Sequence, residues 1–144
     1  MTEPLDRALT YRLHLLNKLT DRSSHDLYER ETGLPIGEAR CLASIGSFGP
    51  LSVNDLALHA SLNKGQASRA AQSLVDRGLV SKTVSDLDAR GVVLALTPDG
   101  RVCFDRVMAL IAQRNETIFG CLTPDEQALL GAMFDRLIAQ ARAT

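Results

Sequence analysis

The sequence contains no tryptophan, and aromatic residues make up only 4% of its 144 residues. Hydrophobic residues nevertheless reach 45%, so a core must be built mainly from Leu, Ile, Val and Ala, a composition that suits helices. The length fits one compact domain, or one small domain with helical extensions. We therefore expect a mostly α-helical protein with a minor β component.

Cysteine is scarce, and no two cysteines form a C-x-x-C pair. Cys41, Cys103 and Cys121 are odd in number and far apart, which disfavours a disulfide framework or a zinc site. The sequence also lacks a run of about 18 apolar residues, and its N-terminus has no basic stretch that leads into an apolar one. These absences predict a cytoplasmic protein that is neither secreted nor membrane-spanning.

Motifs typical of catalysis are missing as well. The sequence has no glycine-rich phosphate loop, no H-E-x-x-H and no G-x-S-x-G, and its histidines show no metal-ligand spacing. We therefore expect a protein that is not an enzyme and needs no metal or other cofactor.

The net charge is only −1, so the whole molecule does not attract nucleic acid by its overall charge. The segment from Asn63 to Lys82 is different, because it carries four cations and only one anion, Asp76. Basic charge is thus concentrated where a local nucleic-acid contact would need it.

Apolar periodicity and capping residues divide the chain into helices around one β-hairpin. Ser52 and Asn63 are suitable N-caps, and Thr123 with Glu126 has the spacing of a capping box. The predicted elements are helices over residues 5–31, 36–45, 53–59 and 64–76, a hairpin of residues 79–84 and 92–96, and helices over residues 98–120 and 124–144.

A short helix, a tight turn and a second helix over residues 53–76 are typical of a helix-turn-helix. The second helix of this motif enters the DNA major groove, which is about 12 Å wide. At about 100° per residue, Ala67, Ala71 and Leu74 share one face of this helix. They are the predicted core positions, and the opposite face is the predicted reading face.

The residue types on the reading face suit DNA. Arg69 can bond guanine and Gln66 adenine, each with two hydrogen bonds, and Lys64 can neutralise a phosphate near the helix N-terminus. Gly65 permits close approach of the DNA backbone. An ordinary solvated helix face is the alternative interpretation. The predicted contacts are Asn63, Lys64, Gly65, Gln66, Ser68, Arg69 and Ser73.

The hairpin tip adds a second candidate contact. Arg90 precedes Gly91 at the tip, a placement suited to insertion into a narrow, electronegative minor groove. Asp88 is predicted to hold Arg90 in position. A surface ion pair without a role in DNA binding is the alternative.

Three segments together resemble the MarR family of bacterial regulators: NKGQASRAAQSLVDRGLV at residues 63–80, Asp-Ala-Arg-Gly at residues 88–91, and LALTPDG at residues 94–100. The resemblance covers essentially the whole chain, although Ala70 and Ala71 stand where bulkier aliphatic residues are common in the family. It implies a winged helix-turn-helix lobe over residues 36–97 and a dimerisation region of residues 1–35 and 98–144. It also implies a homodimer whose two recognition helices read a pseudo-palindromic operator.

The apolar stripes of the last two predicted helices favour dimerisation independently, because a small monomer would struggle to cover both. Packing within one copy is the alternative. The stripes are Val107, Met108, Leu110, Ile111, Ile118 and Phe119 in one helix, and Leu129, Leu130, Met133, Leu137, Ile138 and Ala141 in the other.

Family resemblance further implies a repressor that a small anionic, often aromatic effector, an acid or a thioester, releases from DNA. The candidate anchors for this effector are His14, His25 and Arg40, each of which could instead be structural. Two alternative functions remain open. One is redox sensing through a cysteine, although Cys41 is predicted to be a buried hydrophobe. The other is a winged helix that contacts proteins instead of DNA.

Overall fold

The computed structural model describes residues 2–84 and 91–144 and divides into two compact units, Met1–Leu110 and Ile111–Thr144. It confirms the predicted fold class, a mostly α-helical winged helix-turn-helix. The elements are a 3-10 helix at Leu5–Arg7, α1 at Leu9–Thr32, α2 at Ile36–Phe48, α3 at Val53–Ala60, α4 at Lys64–Asp76, β1 at Val80–Val84, β2 at Val92–Leu96, α5 at Pro98–Phe119 and α6 at Pro124–Arg142.

The long first helix begins later than its periodicity predicts. Ala8 has extended backbone, with ψ 136°, and separates the 3-10 helix from α1. The predicted end is confirmed, because Gly33 has a φ of 74°, in the left-handed region that favours glycine, and donates its N–H to the carbonyl of Glu29. This left-handed residue sets the direction in which the chain continues toward α2.

Helix α2 continues one turn beyond the predicted end at Ile45. The prediction treated Gly46 as a helix breaker, and this was wrong, since Gly46 lies inside the helix against the ring of Phe104 in α5. A Cβ built on Gly46 would overlap this ring, so the missing side chain permits close packing. The helix ends at Phe48, and Gly49, just before Pro50, is its C-cap.

Helices α3 and α4 form the predicted helix-turn-helix. Ser52 caps α3 by accepting the N–H of Asp55 at 3.1 Å. Ser61 turns the chain between the helices in the left-handed region, with a φ of 57°. The predicted core face of α4 is confirmed, because Ala67, Ala71 and Leu74 are all buried.

The wing is an antiparallel pair in which Val80 lies opposite Leu96 and Val84 opposite Val92. Leu51 adds a bridge to it, since its N–H donates to the carbonyl of Leu94 at 3.0 Å and its carbonyl accepts from Leu94 at 2.7 Å. The predicted contacts Asp88 and Arg90 lie outside the described residues.

The base of the wing is held to the end of α4 by Thr97. Its hydroxyl donates to the carbonyl of Gly78 at 2.6 Å and accepts the N–H of Gly100 at 3.0 Å. Gly100, in the first turn of α5, lies directly against Leu79, and a Cβ at this position would overlap the Leu79 carbonyl oxygen. This contact depends on the absence of a side chain.

In the second unit, the predicted capping box of α6 is confirmed. Thr123 accepts the N–H of Glu126 at 3.2 Å, and the carboxylate of Glu126 accepts the N–H of Thr123 at 2.8 Å, which lowers the pKa of Glu126. Helix α6 has no buried residue. None of the helices in the described part of the chain is long and apolar enough to cross a membrane.

Replacing Gly100 with alanine should destabilise the protein by about 1–3 kcal/mol, because the new methyl group has to displace the backbone of Leu79. Urea unfolding followed by circular dichroism measures this change. Gly37→Ala is the matched control, since nothing lies within 4 Å of its added Cβ. The control should gain up to about 1 kcal/mol from helix propensity. Equal stability changes in both variants would contradict the assigned contact.

Candidate nucleic-acid interface

Helix α4 presents one continuous polar face to solvent. Its buried face packs into the first unit, which leaves the opposite face outward. Six of the seven predicted contacts in this segment are exposed and lie on or directly before this face: Asn63, Lys64, Gly65, Gln66, Ser68 and Arg69. The structure therefore brings most of the predicted set together at the N-terminal half of α4.

Asn63 and Gln66 form a capping box at the start of α4. Asn63 Oδ1 accepts the N–H of Gln66 at 2.8 Å, and Gln66 Oε1 accepts the N–H of Asn63 at 3.1 Å. The side-chain oxygen Oε1 of Gln66 thus already accepts a hydrogen bond, and the side-chain nitrogen Nε2 is the atom that can donate to a base. Sequence reasoning missed this box, although the N-x-x-Q spacing was a visible signal.

The guanidinium of Arg69 lies back toward the helix N-terminus. A Cβ built on Gly65 would be 3.6 Å from Arg69 Nη1, so this nitrogen lies over Gly65, one turn earlier on the same face. Arg69 forms no ion pair with any residue in the described ranges. Its donors are therefore available to an acceptor that approaches this end of α4.

Ser73 differs from the other predicted contacts. It is half-buried, and its hydroxyl donates to Glu38 Oε1 in α2 at 2.6 Å. The same carboxylate oxygen accepts from Arg77 Nε at 3.1 Å. Ser73 therefore faces α2, at the edge of the polar face and not at its centre.

Two of the four cations in the segment already have partners in the folded chain. Arg77 is one of the four cations between Asn63 and Lys82, and Glu38 neutralises it in an ion pair. Lys82 donates to Gln72 at 3.5 Å, and Gln72 in turn donates to Asp76 at 2.9 Å. Lys64 and Arg69 are the cations directed to the N-terminal end of α4.

The candidate effector anchors lie along α1 and the start of α2. His14 and His25 are 11 residues apart and share one face of α1, and both are exposed. His25 lies 3.8 Å from Glu29, and Arg40 donates to Asp21 at 3.1 Å. Arg40 and its partner are each more than half exposed, so a ligand could compete for this guanidinium at little cost.

The cysteines are in unlike surroundings. Burial, with a smaller contribution from the charge of Glu38, raises the pKa of Cys41 to about 11. Burial also raises the pKa of Cys103, although Arg106 and Arg77 partly oppose it. Cys121 is exposed. Because the thiolate is the reactive form, the two raised pKa values disfavour Cys41 and Cys103 as redox sensors.

The sequence of the lobe matches a known family. A family model described as MarR family matches residues 32–91. The HTH-type transcriptional repressor Rv2887 of Mycobacterium tuberculosis is 28% identical over 105 residues, which cover 73% of this chain and 76% of that protein. These matches confirm the resemblance to the MarR family, and the relatives are named as transcriptional regulators.

Solved structures share the fold across most of the chain. A MarR-family transcriptional regulator from Silicibacter pomeroyi has a TM-score of 0.81 at 24% identity, covering 95% of this chain and 92% of its own. Rv2887 from Mycobacterium tuberculosis, in complex with p-aminosalicylic acid, has a TM-score of 0.72 at 25% identity, covering 90% and 98%.

Thiol labelling of the native protein should be dominated by Cys121. With Ellman's reagent at neutral pH, one thiol should react rapidly, and Cys41 should react only after unfolding because it is fully buried, which also raises its pKa to about 11. Cys121→Ser should remove the rapid phase, whereas Cys41→Ser should leave it unchanged. A rapid phase that survives Cys121→Ser would restore redox sensing by one of the other cysteines as a candidate input.

Proposed function

We propose that this chain, whose residues 32–91 match the MarR family, is a DNA-binding transcription regulator that reads its operator with α4. The observation that carries the proposal is the exposed polar face of α4, on which Arg69 has no ion-pair partner among the described residues. The buried alanines on the other face hold the helix against the lobe. Such a helix has the form and chemistry of a major-groove reader.

Each contact has a distinct proposed role. Arg69 bonds a guanine, the amide nitrogen of Gln66 meets a base edge, and Lys64 neutralises a phosphate. Arg90 and Asp88 lie outside the described residues, and their proposed roles rest on the sequence: Arg90 would enter the minor groove and Asp88 would hold it in position. The remaining proposed contacts are Asn63, Gly65 and Ser68, whereas Ser73, which the sequence also predicted as a contact, is bonded to Glu38 at the edge of the face.

The regulator acts as a homodimer in this proposal. Helix α1 exposes a row of leucines, and Leu9, Leu13 and Leu16 are 76%, 56% and 45% exposed in a single copy. Helix α6 likewise exposes Leu129 and Leu137. Apolar surface of this extent marks an interface, and a second copy would cover it. Two recognition helices on one two-fold axis suit a pseudo-palindromic operator.

Release by a small aromatic acid or its thioester completes the proposal. It is supported by Rv2887, which is named a repressor and whose structures contain salicylic acid and p-aminosalicylic acid. In this chain Arg40 is the proposed anchor for the effector carboxylate, and His14 and His25 line the same side of α1. A regulator with this role works in the cytoplasm.

Arg69→Ala tests DNA reading directly. It should weaken operator binding by about 1–3 kcal/mol and relax the preference at one base pair, because a bidentate contact to guanine is lost. Fluorescence anisotropy with a duplex selected by the wild-type protein from random-sequence DNA measures both effects. Arg22→Ala, an exposed site on α1, is the matched control and should bind normally.

The salt dependence of the same assay separates DNA reading from protein interaction. A dimer that neutralises about 6–10 phosphates should lose about 10³–10⁵ in affinity between 50 and 200 mM salt. If the wild-type protein selects no sequence from the pool and shows no such dependence, the winged helix is a protein-interaction module instead.

Salicylate should stabilise the wild-type protein and displace it from the selected duplex. Binding to the folded state at 100 times Kd contributes about 2.7 kcal/mol, which is readily visible as a rise in Tm. Arg40→Gln should remove both effects because it removes the charge partner of the carboxylate, and salicylamide is the uncharged control ligand. An unchanged response in Arg40→Gln would place the carboxylate elsewhere.

A further inference from the structure

We propose that Glu38 is a positioning residue for DNA reading: with Ser73 and Arg77 it forms a clamp that sets the orientation of α4 against α2. We call these three residues the Glu38 clamp. The inference rests on the proposed function, since it assumes that α4 reads DNA. It assigns Ser73 a role through Glu38, in place of direct contact with a base.

The clamp converges on one oxygen atom. Glu38 Oε1 accepts from Ser73 Oγ at 2.6 Å and from Arg77 Nε at 3.1 Å. Ser73 and Arg77 are four residues apart, one turn along the same side of the chain at the end of α4. A single carboxylate in the first turn of α2 therefore holds two successive turns, which fixes both the rotation and the position of α4 more firmly than one bond would.

Arg77 extends the clamp to a third element. Its Nη1 donates to the carbonyl of Gly33, the residue that ends α1, at 3.3 Å. The guanidinium is planar and presents its donors in a fixed geometry, so these two bonds specify its orientation. The side chain of Arg77 thus joins the end of α4 to the start of α2 through Glu38, 39 residues away in sequence, and to the end of α1 through the Gly33 carbonyl, 44 residues away.

Burial makes these bonds stronger than ordinary surface contacts. The side chain of Glu38 is only 16% exposed, whereas Arg77 is 41% exposed. Hydrogen bonds to a charged group contribute more than neutral ones, and a mostly buried carboxylate is screened less by solvent. The carboxylate of the clamp is therefore mostly shielded from solvent, whereas its guanidinium is open to solvent.

The clamp adjoins the reading residues. Glu38, Ser73, Gln66 and Arg69 line one cleft of about 330 Å³ between the start of α2 and α4. A rotation of α4 that widened or closed this cleft would turn Arg69 and Gln66 relative to the groove. Displacements of about 1 Å are enough to spoil bidentate base contacts, so loss of the clamp should affect sequence reading first.

Electrostatics and positioning predict opposite changes in operator affinity when Glu38 is removed. Glu38 is an anion beside a surface that binds phosphates, so its removal alone should raise affinity for any DNA. If it positions α4, its removal should instead lower affinity for the operator. The sign of the change therefore distinguishes a positioning role from a bystander charge.

The test measures binding of Glu38→Ala to the selected duplex and to poly(dI-dC), a non-specific DNA, by fluorescence anisotropy. We expect a loss of about tenfold or more on the selected duplex, with unchanged or tighter binding to poly(dI-dC). Asp76→Asn is the matched control, since it removes an anion at the end of α4 whose side chain accepts a hydrogen bond from Gln72 and takes no part in the clamp. It should not weaken binding to either DNA.

Glu38→Gln keeps the acceptor oxygen and the side-chain volume but removes the charge. It therefore separates a defect in DNA binding from a defect in folding. It should lose less operator affinity than Glu38→Ala while it unfolds at a similar urea concentration to wild type. Normal operator binding by both variants, or equal losses on both DNAs, overturns the clamp.

A double-mutant cycle tests whether Ser73 acts through Glu38. If Ser73 acts through Glu38, Ser73→Ala combined with Glu38→Ala should bind the selected duplex no worse than Glu38→Ala alone. If the affinity losses of the two single variants multiply in the double variant, Ser73 contacts DNA directly. Ser73 would then not belong to the clamp, and the proposal would be overturned. If the wild-type protein selects no sequence at all, the proposed function fails first, which is a different result from normal binding by Glu38→Ala.

Discussion

The close approach of α4 to the rest of its lobe is the constraint on which the other features depend. Ala67, Ala71 and Leu74 form its inward face, and each is at most 2% exposed. Two methyl side chains in this face let the helix backbone lie near its neighbours. Because the helix is this close, the short hydroxyl of Ser73 can reach Glu38, and the polar face is held at one fixed angle to solvent.

The wing is held by the same kind of close contact. Gly100 lies directly against the Leu79 carbonyl, and Thr97 bonds both Gly78 and Gly100. The bridge between Leu51 and Leu94 then joins the hairpin to the segment that precedes α3. The reading helix and the wing are therefore fixed to a common base, although the outer face of the reading helix is polar and exposed.

Local signals in the sequence were sufficient to predict most of the fold. Caps, glycines and prolines act within a few residues, so the ends at Gly33, Ser52 and Thr123 were predicted correctly. Gly46 was misjudged because its environment is created by Phe104, far away in the sequence. The same reason explains why Glu38 was missed. No periodicity links it to Ser73, 35 residues later, and only the folded chain brings the two together.

The sequence predicted which residues lie at the candidate site but not the hydrogen bonds among them. Periodicity placed Gln66 and Arg69 on one face, and both are exposed there. It could not show that Gln66 Oε1 already bonds Asn63. A base that displaces the Asn63 N–H from this oxygen must replace a hydrogen bond that contributes about 1 kcal/mol. Recognition at that base pair is therefore linked thermodynamically to opening of one half of the capping box of α4, and each operator sequence that recruits the oxygen carries this penalty.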